Sequence, residues 1–76
     1  MNQSITTLAL NLLVSERANH RIVFANRIVE ILQHSIRNFE NEDERINNFL
    51  VVISKCTEQP SCKERDLFFE LAQYYN

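Results

Sequence analysis

The chain of 76 residues contains no glycine, no tryptophan and a single proline. An all-β protein of this length needs several tight turns, and such turns usually require glycine at positive φ. Phosphate-binding loops and dinucleotide fingerprints also depend on glycine. The composition therefore favours helices and excludes both of these nucleotide-binding motifs.

A strong charge of one sign is also lacking, because 8 basic residues face 10 acidic ones. Residues 1–37 carry four Arg and two Glu (+2), and residues 38–76 carry four basic and eight acidic residues (−4). A general nucleic-acid binder normally has a strongly basic balance or stripe, so we expect no such partner. The asymmetry between the halves can orient an antiparallel dimer or a charged partner, and solvated helix faces explain it at least as well.

Long hydrophobic runs are absent as well. No stretch approaches the roughly 18 apolar residues that a membrane span requires. The apolar segment Ile5–Leu13 is interrupted by Asn11, and no basic residue precedes it, which argues against a signal peptide. We therefore expect no membrane partner and a cytoplasmic location.

Hydrophobic residues make up 45% of the chain, enough for a folded domain at this low net charge. Apolar spacing and end signals predict helices at about residues 3–14, 16–39, 42–57 and 61–75. The predicted fold is a single all-α domain over residues 1–76, a three- to four-helix bundle around a long central helix. Small domains have thin cores, so we expect dimerisation to complete the bundle.

The second predicted helix carries an apolar seam with alternating spacings of three and four residues, which suits an inner helix. The seam comprises Ile22, Ala25, Val29, Leu32, Ile36 and Phe39, widened by Phe24, Ile28 and Ile31. The stripe of the first predicted helix is out of phase with it, which indicates a break near Ser15–Asn19 with Ser15 or Asn19 as N-cap. An unbroken helix would instead direct its first third towards a different partner.

Two further patterns mark helix starts. Asn41 with Glu44 and Ser61 with Glu64 have the three-residue spacing of a capping box. The inner stripes predicted after these starts are Ile46, Phe49, Leu50, Ile53 and Cys56 in the third helix, and Leu67, Phe68, Leu71, Ala72 and Tyr75 in the fourth.

Residues for catalysis or for a cofactor are not evident. His20 and His34 are predicted on polar surface, and a structural zinc site needs four ligands. No Ser/His/Asp set or pair of acids can be assembled. We therefore expect neither an enzyme nor a metal or cofactor site.

Cys56 and Cys62 flank the turn at Pro60. Three interpretations remain open: two unlinked thiols with Cys56 in the core, a structural disulfide across the turn, or a redox pair. A thiol in the first turn of a helix has its pKa lowered by the dipole, which would make Cys62 the more reactive.

Surplus apolar residues suggest a binding surface. Phe69 and Tyr74 lie off the stripe of the fourth helix and Val51 off that of the third, while Ile28 and Ile31 widen the seam. Because large exposed apolar patches are uncommon on monomers, these five residues predict an interface. The expected function is a small regulator or adaptor, inhibitor-like or chaperone-like, that binds a protein partner or itself as a homodimer.

The alternative is a DNA-binding transcriptional regulator of the helix-turn-helix type. Lys63 and Arg65 would lie at the start of a recognition helix, supported by the arginines of residues 17–27. Glu64 and Asp66 in the same turn would repel phosphate.

Overall fold

The structure, a computed structural model, describes residues 4–36, 39 and 44–75. This part of the chain contains four α-helices and no strand: α1 (Ile5–Val14), α2 (Ala18–Ser35), α3 (Glu44–Glu58) and α4 (Arg65–Tyr74). The helices pack compactly as a bundle. The prediction of an all-α protein with up to four helices is confirmed.

Helix α1 contacts each of the other three helices, as α3 also does, and the contact between α1 and α2 is the most extensive between any two of the four helices. Its buried face is the predicted one: Ile5, Leu8, Ala9, Leu12 and Leu13. Ser4 caps its start, and the Ser4 hydroxyl accepts a hydrogen bond from the backbone N–H of Thr7 at 3.0 Å. Ala9 is fully buried, and such a small side chain allows neighbouring helices to approach closely.

The prediction that the second helix is the central one is not confirmed. Only four residues of α2 are buried (Arg21, Ala25, Ile28 and Leu32). Ile22, assigned to the seam, is 49% exposed. Helix α2 packs on α1 and α3, and these two contacts cover a narrower stripe than the sequence suggests.

The break between α1 and α2 is present, but its caps differ from the prediction. Ser15 ends α1, and its hydroxyl donates to the carbonyl of Asn11 at 2.6 Å. The N-cap of α2 is Arg17, whose side chain makes no capping hydrogen bond. The side chain of Asn19 accepts a bond from the backbone N–H of His20, so neither predicted cap begins the helix.

Helix α2 also ends earlier than predicted, since Ile36 is extended (φ −110°, ψ 117°). Ile36 and Phe39 still pack against the core, which explains why their spacing resembles another helical turn. The capping box at Asn41 lies outside the described residues.

The predicted capping box at Ser61 is wrong. Helix α4 begins at Arg65, and its N-cap Glu64 has helical φ/ψ and makes no capping hydrogen bond. Residues 60–64 form turns, with the N–H of Cys62 bonded to the carbonyl of Gln59 at 3.0 Å. In a capping box the Glu64 carboxylate would accept a bond from the backbone N–H of Ser61. Here it accepts a bond from Lys55 Nζ at 3.4 Å instead.

The α3–α4 side of the core is aromatic. Phe49 and Phe68 are fully buried with ring centroids 5.9 Å apart, and Tyr75 stacks on Phe49 at 5.4 Å. Leu67, predicted as buried, is 43% exposed, because the stripe of α4 centres on Phe68, Leu71 and Ala72.

Candidate functional site

An open groove of about 490 Å³ lies between α2 and α3. The start of α2 lies beside the end of α3, where Arg21 donates to the carbonyl of Thr57, which indicates that the two helices run antiparallel along the groove. The groove is lined by Ala18, Ile22, Ala25, Asn26 and Val29 from α2 and by Leu50, Ile53, Ser54, Thr57 and Glu58 from α3.

Side-chain size accounts for the groove. Ala18, Ala25 and Ser54 are small, and they leave space between the longer side chains of Ile22, Val29 and Leu50. Glu58 is the only charged residue in the lining, whereas 24% of the whole chain is charged. Depletion of charge is characteristic of the core of a protein interface.

Further apolar side chains are exposed on the same two helices. Ile22 and Val23 on α2 and Val51 on α3 are each about half exposed (49%, 51% and 54%). Val51 lies next in sequence to the lining residue Leu50. The groove, together with the exposed residues Ile22, Val23 and Val51 of the same two helices, is called the α2–α3 surface below.

The five predicted interface residues do not form one surface. Ile28 is fully buried in the core, so its side chain is unavailable to a partner. Ile31 and Phe69 are partly buried and pack against the core. Val51 belongs to the α2–α3 surface, whereas Tyr74 is exposed on α4 beneath the guanidinium of Arg45 (4.1 Å to the ring centroid).

Sequence reasoning missed the groove because it assigned Ile22 and Val29 to a buried seam. The signal that could have revealed it is the spacing of Ala18 and Ala25, seven residues apart on one face of α2. Two small residues that are two turns apart on one helix face create a depression when the facing helix also presents a small side chain. Here Ser54 of α3 is the small side chain on the facing helix.

The second candidate site is the pair of cysteines at the end of α3. The two sulfur atoms of Cys56 and Cys62 lie 3.4 Å apart as free thiols, Cys56 fully buried and Cys62 partly exposed. Burial raises the pKa of the Cys56 thiol to about 12, and the hydrogen bond with Cys62 adds to the shift. The structure thus brings the predicted pair together, but Cys62 precedes Arg65, the first residue of α4, and does not lie in the first turn of that helix as predicted.

The same pair of helices carries the ion pair of Lys55 and Glu64. Partial burial raises the pKa of the Glu64 carboxyl, but bonds from its own backbone N–H, the Cys62 thiol and Lys55 outweigh this, and the pKa is lowered overall. Glu64 therefore contacts both the thiol of Cys62 and the exposed ammonium group of Lys55.

The basic residues considered for DNA binding are dispersed. Lys63 and Arg65 are exposed near the start of α4 and Arg17 before α2, but Arg21 is buried. Arg21 donates from Nε to the carbonyl of Thr57 and from Nη1 to that of Ser15. His20 and His34 are exposed.

Within residues 4–36, 39 and 44–75, no cluster of three or more His, Cys, Asp or Glu side chains is arranged to hold a metal ion. None of the helices in this part of the chain has the length and apolar character needed to cross a membrane. In comparisons with known proteins, no family model, no curated protein and no solved structure matches the chain.

Proposed function

We propose that this protein is a non-enzymatic binding module, a small regulator or adaptor, which associates through the α2–α3 surface and forms a homodimer by it. The observation that carries the proposal is the open apolar groove with Ile22 half exposed at its edge. Apolar area removed from water contributes about 25 cal/mol per Å², so covering this surface favours association.

A second copy fits the surface because the chain presents both a depression and projecting apolar side chains beside it. In a two-fold contact the same patch meets itself, so each contact between two residues occurs twice in the interface. The groove of each copy can then receive Val51 or Val23 of the other. A linear peptide would fill the groove and leave these two side chains exposed.

The area required is available. A stable dimer buries on the order of 800 Å² per partner, and the accessible surface of the chain is 5323 Å². Helices of 18 and 15 residues extend about 27 and 22 Å at 1.5 Å per residue. One face of this helix pair is therefore large enough.

Sedimentation equilibrium between 1 and 100 µM tests the proposal. We expect a dimer, weakened about tenfold or more by Ile22→Ser or Val51→Ser, because each change removes roughly 1–2 kcal/mol of apolar burial per site. Leu10→Ser is the matched control: Leu10 is also 49% exposed but lies on α1, outside the α2–α3 surface, so its variant should dimerise normally.

Two results would contradict the proposal. One is a wild-type chain that sediments as a monomer at 100 µM. The other is a dimer that Leu10→Ser weakens as much as Ile22→Ser does. Circular dichroism on each variant establishes that the helices remain formed.

A further inference from the structure

The thiol pair is placed for a covalent reaction that the proposed function does not use. The sulfur atoms of Cys56 and Cys62 are 3.4 Å apart, and a disulfide bond is about 2.05 Å long. Closing the difference requires a movement of about 1.4 Å. Cys56 is held in α3, but Cys62 lies in the turns between α3 and α4, where small backbone and side-chain rotations suffice.

The two thiols differ in access. Cys56 has no exposed surface, whereas Cys62 is partly exposed. A reagent in solution can therefore reach only Cys62, and Cys56 lies behind it. In a reaction with a soluble oxidant, Cys62 is therefore the first of the two thiols to react.

We propose that Cys62 and Cys56 act as an attacking and a resolving thiol that together reduce a low-molecular-weight disulfide of the glutathione class. The Cys62 thiolate attacks one sulfur of the reagent, forms a mixed disulfide and releases the first small thiol. The Cys56 sulfur then attacks Cys62, forms the Cys56–Cys62 disulfide and releases the second. Two electrons and two protons pass from the protein to the two thiols formed.

The contacts of Cys56 favour this order. In the reduced pair, its thiol is kept protonated by burial, by the hydrogen bond with Cys62 and by charge on Cys62. In the mixed disulfide Cys62 carries no charge, so charge on Cys62 no longer opposes ionisation of Cys56, and the Cys62 sulfur is a weaker acceptor for the Cys56 thiol. Ionisation of Cys56 thus becomes easier at the step in which it must attack.

The consequence of oxidation is a covalent link between the end of α3 and the approach to α4. Five residues lie between the two cysteines, so the ring is small, and it encloses the turn at Pro60. By restricting the unfolded chain, a disulfide of this kind raises the melting temperature, here by on the order of 10 °C.

The test is incubation of the full chain in glutathione buffers of increasing oxidised fraction, followed by acid quench and intact-mass spectrometry. The wild type is expected to lose two hydrogen atoms without accumulating a glutathione adduct. Cys56→Ser should accumulate one glutathione on Cys62. Cys62→Ser should react at least tenfold more slowly in native buffer, because Cys56 is exposed only by local opening. Once this variant is denatured, its Cys56 should react at the rate of an ordinary exposed thiol.

A wild type that accumulates a stable mixed disulfide, or that stays reduced in excess oxidised glutathione, overturns the proposal. So do equal reaction rates for the two serine variants in native buffer. Because Cys56→Ser alters a buried position, the wild-type mass change and its rise in melting temperature decide the matter independently of that variant. None of these outcomes depends on dimerisation, so the proposed function stands or falls separately.

Discussion

The guanidinium of Arg21 joins two helix ends, since its Nε donates to the carbonyl of Thr57 at 2.8 Å and its Nη1 to the carbonyl of Ser15 at 2.9 Å. Ser15 follows α1, and Thr57 lies in the last turn of α3. The last carbonyls of a helix lack partners within it and carry partial negative charge, so a cation there is favourable. A buried arginine is stabilised here by two carbonyl groups.

Replacement of Arg21 by Met is expected to destabilise the protein by about 2–3 kcal/mol, because two partly buried carbonyls lose a charged donor. Arg21→Lys should recover only part of this, since an ammonium does not reproduce the fork of a guanidinium. Urea denaturation measures both. The control is Arg17→Met, at an exposed arginine four residues earlier, for which a loss above about 0.5 kcal/mol would contradict the interpretation.

Adjacent phenylalanines in α4 are expected to differ strongly. Phe68 is fully buried against Phe49, so Phe68→Ala should cost about 3–5 kcal/mol and unfold much of the population. Phe69 is only partly buried, and Phe69→Ala should cost about half as much. Thermal denaturation followed by circular dichroism compares the two. Equal losses would show that the core is not centred on Phe68.

The two serines considered as caps should also behave differently. Ser4 bonds the backbone N–H of Thr7, so Ser4→Ala should cost about 1 kcal/mol. Ser61 is exposed in the turn before α4 and is not its N-cap. We expect Ser61→Ala to change the free energy of unfolding by less than about 0.5 kcal/mol. Chemical denaturation measures both losses. A larger loss for Ser61→Ala than for Ser4→Ala would support the capping box at Ser61 that the sequence predicts.

Acidification should weaken the contact at Glu64. Its pKa is lowered in the folded chain, so its contribution is fully present above the ordinary glutamate pKa and disappears as the pH falls through the folded value. The melting temperature of wild type should therefore fall below about pH 4.5 more steeply than that of Glu64→Gln. Glu70→Gln, an exposed change on α4, should retain the wild-type slope. Parallel curves for wild type and Glu64→Gln would contradict the assignment.

The sequence predicted some parts of this fold well because the physics there is local. The spacing of Ile5, Leu8 and Leu12 defines one face of a helix, and that face is buried. The missing glycines and the phase change before α2 suffice to predict helices and a break between the first two. Proximity of Cys56 and Cys62 follows from a short turn.

Other features depended on contacts distant in sequence. The bond from Arg21 to Thr57 joins residues 36 positions apart, and nothing in the local pattern distinguishes this arginine from Arg17. The exposure of Ile22 depends on how α3 passes α2, which a periodic stripe on α2 does not specify. Glu64 forms its pair with Lys55 because the chain turns back on itself, so the local capping pattern was misleading.

The position of α1 among the other helices has a consequence for biosynthesis. Helix α1 is synthesised before the other three helices, yet one of its partners is α4, and 50 residues lie between Val14 and Arg65. While those residues are being translated, α1 can pair with α2 but still exposes apolar surface to the surrounding solution. Such exposed surface promotes aggregation and recruits chaperones, so the nascent chain is protected only when Phe68, Leu71 and Ala72 have been added.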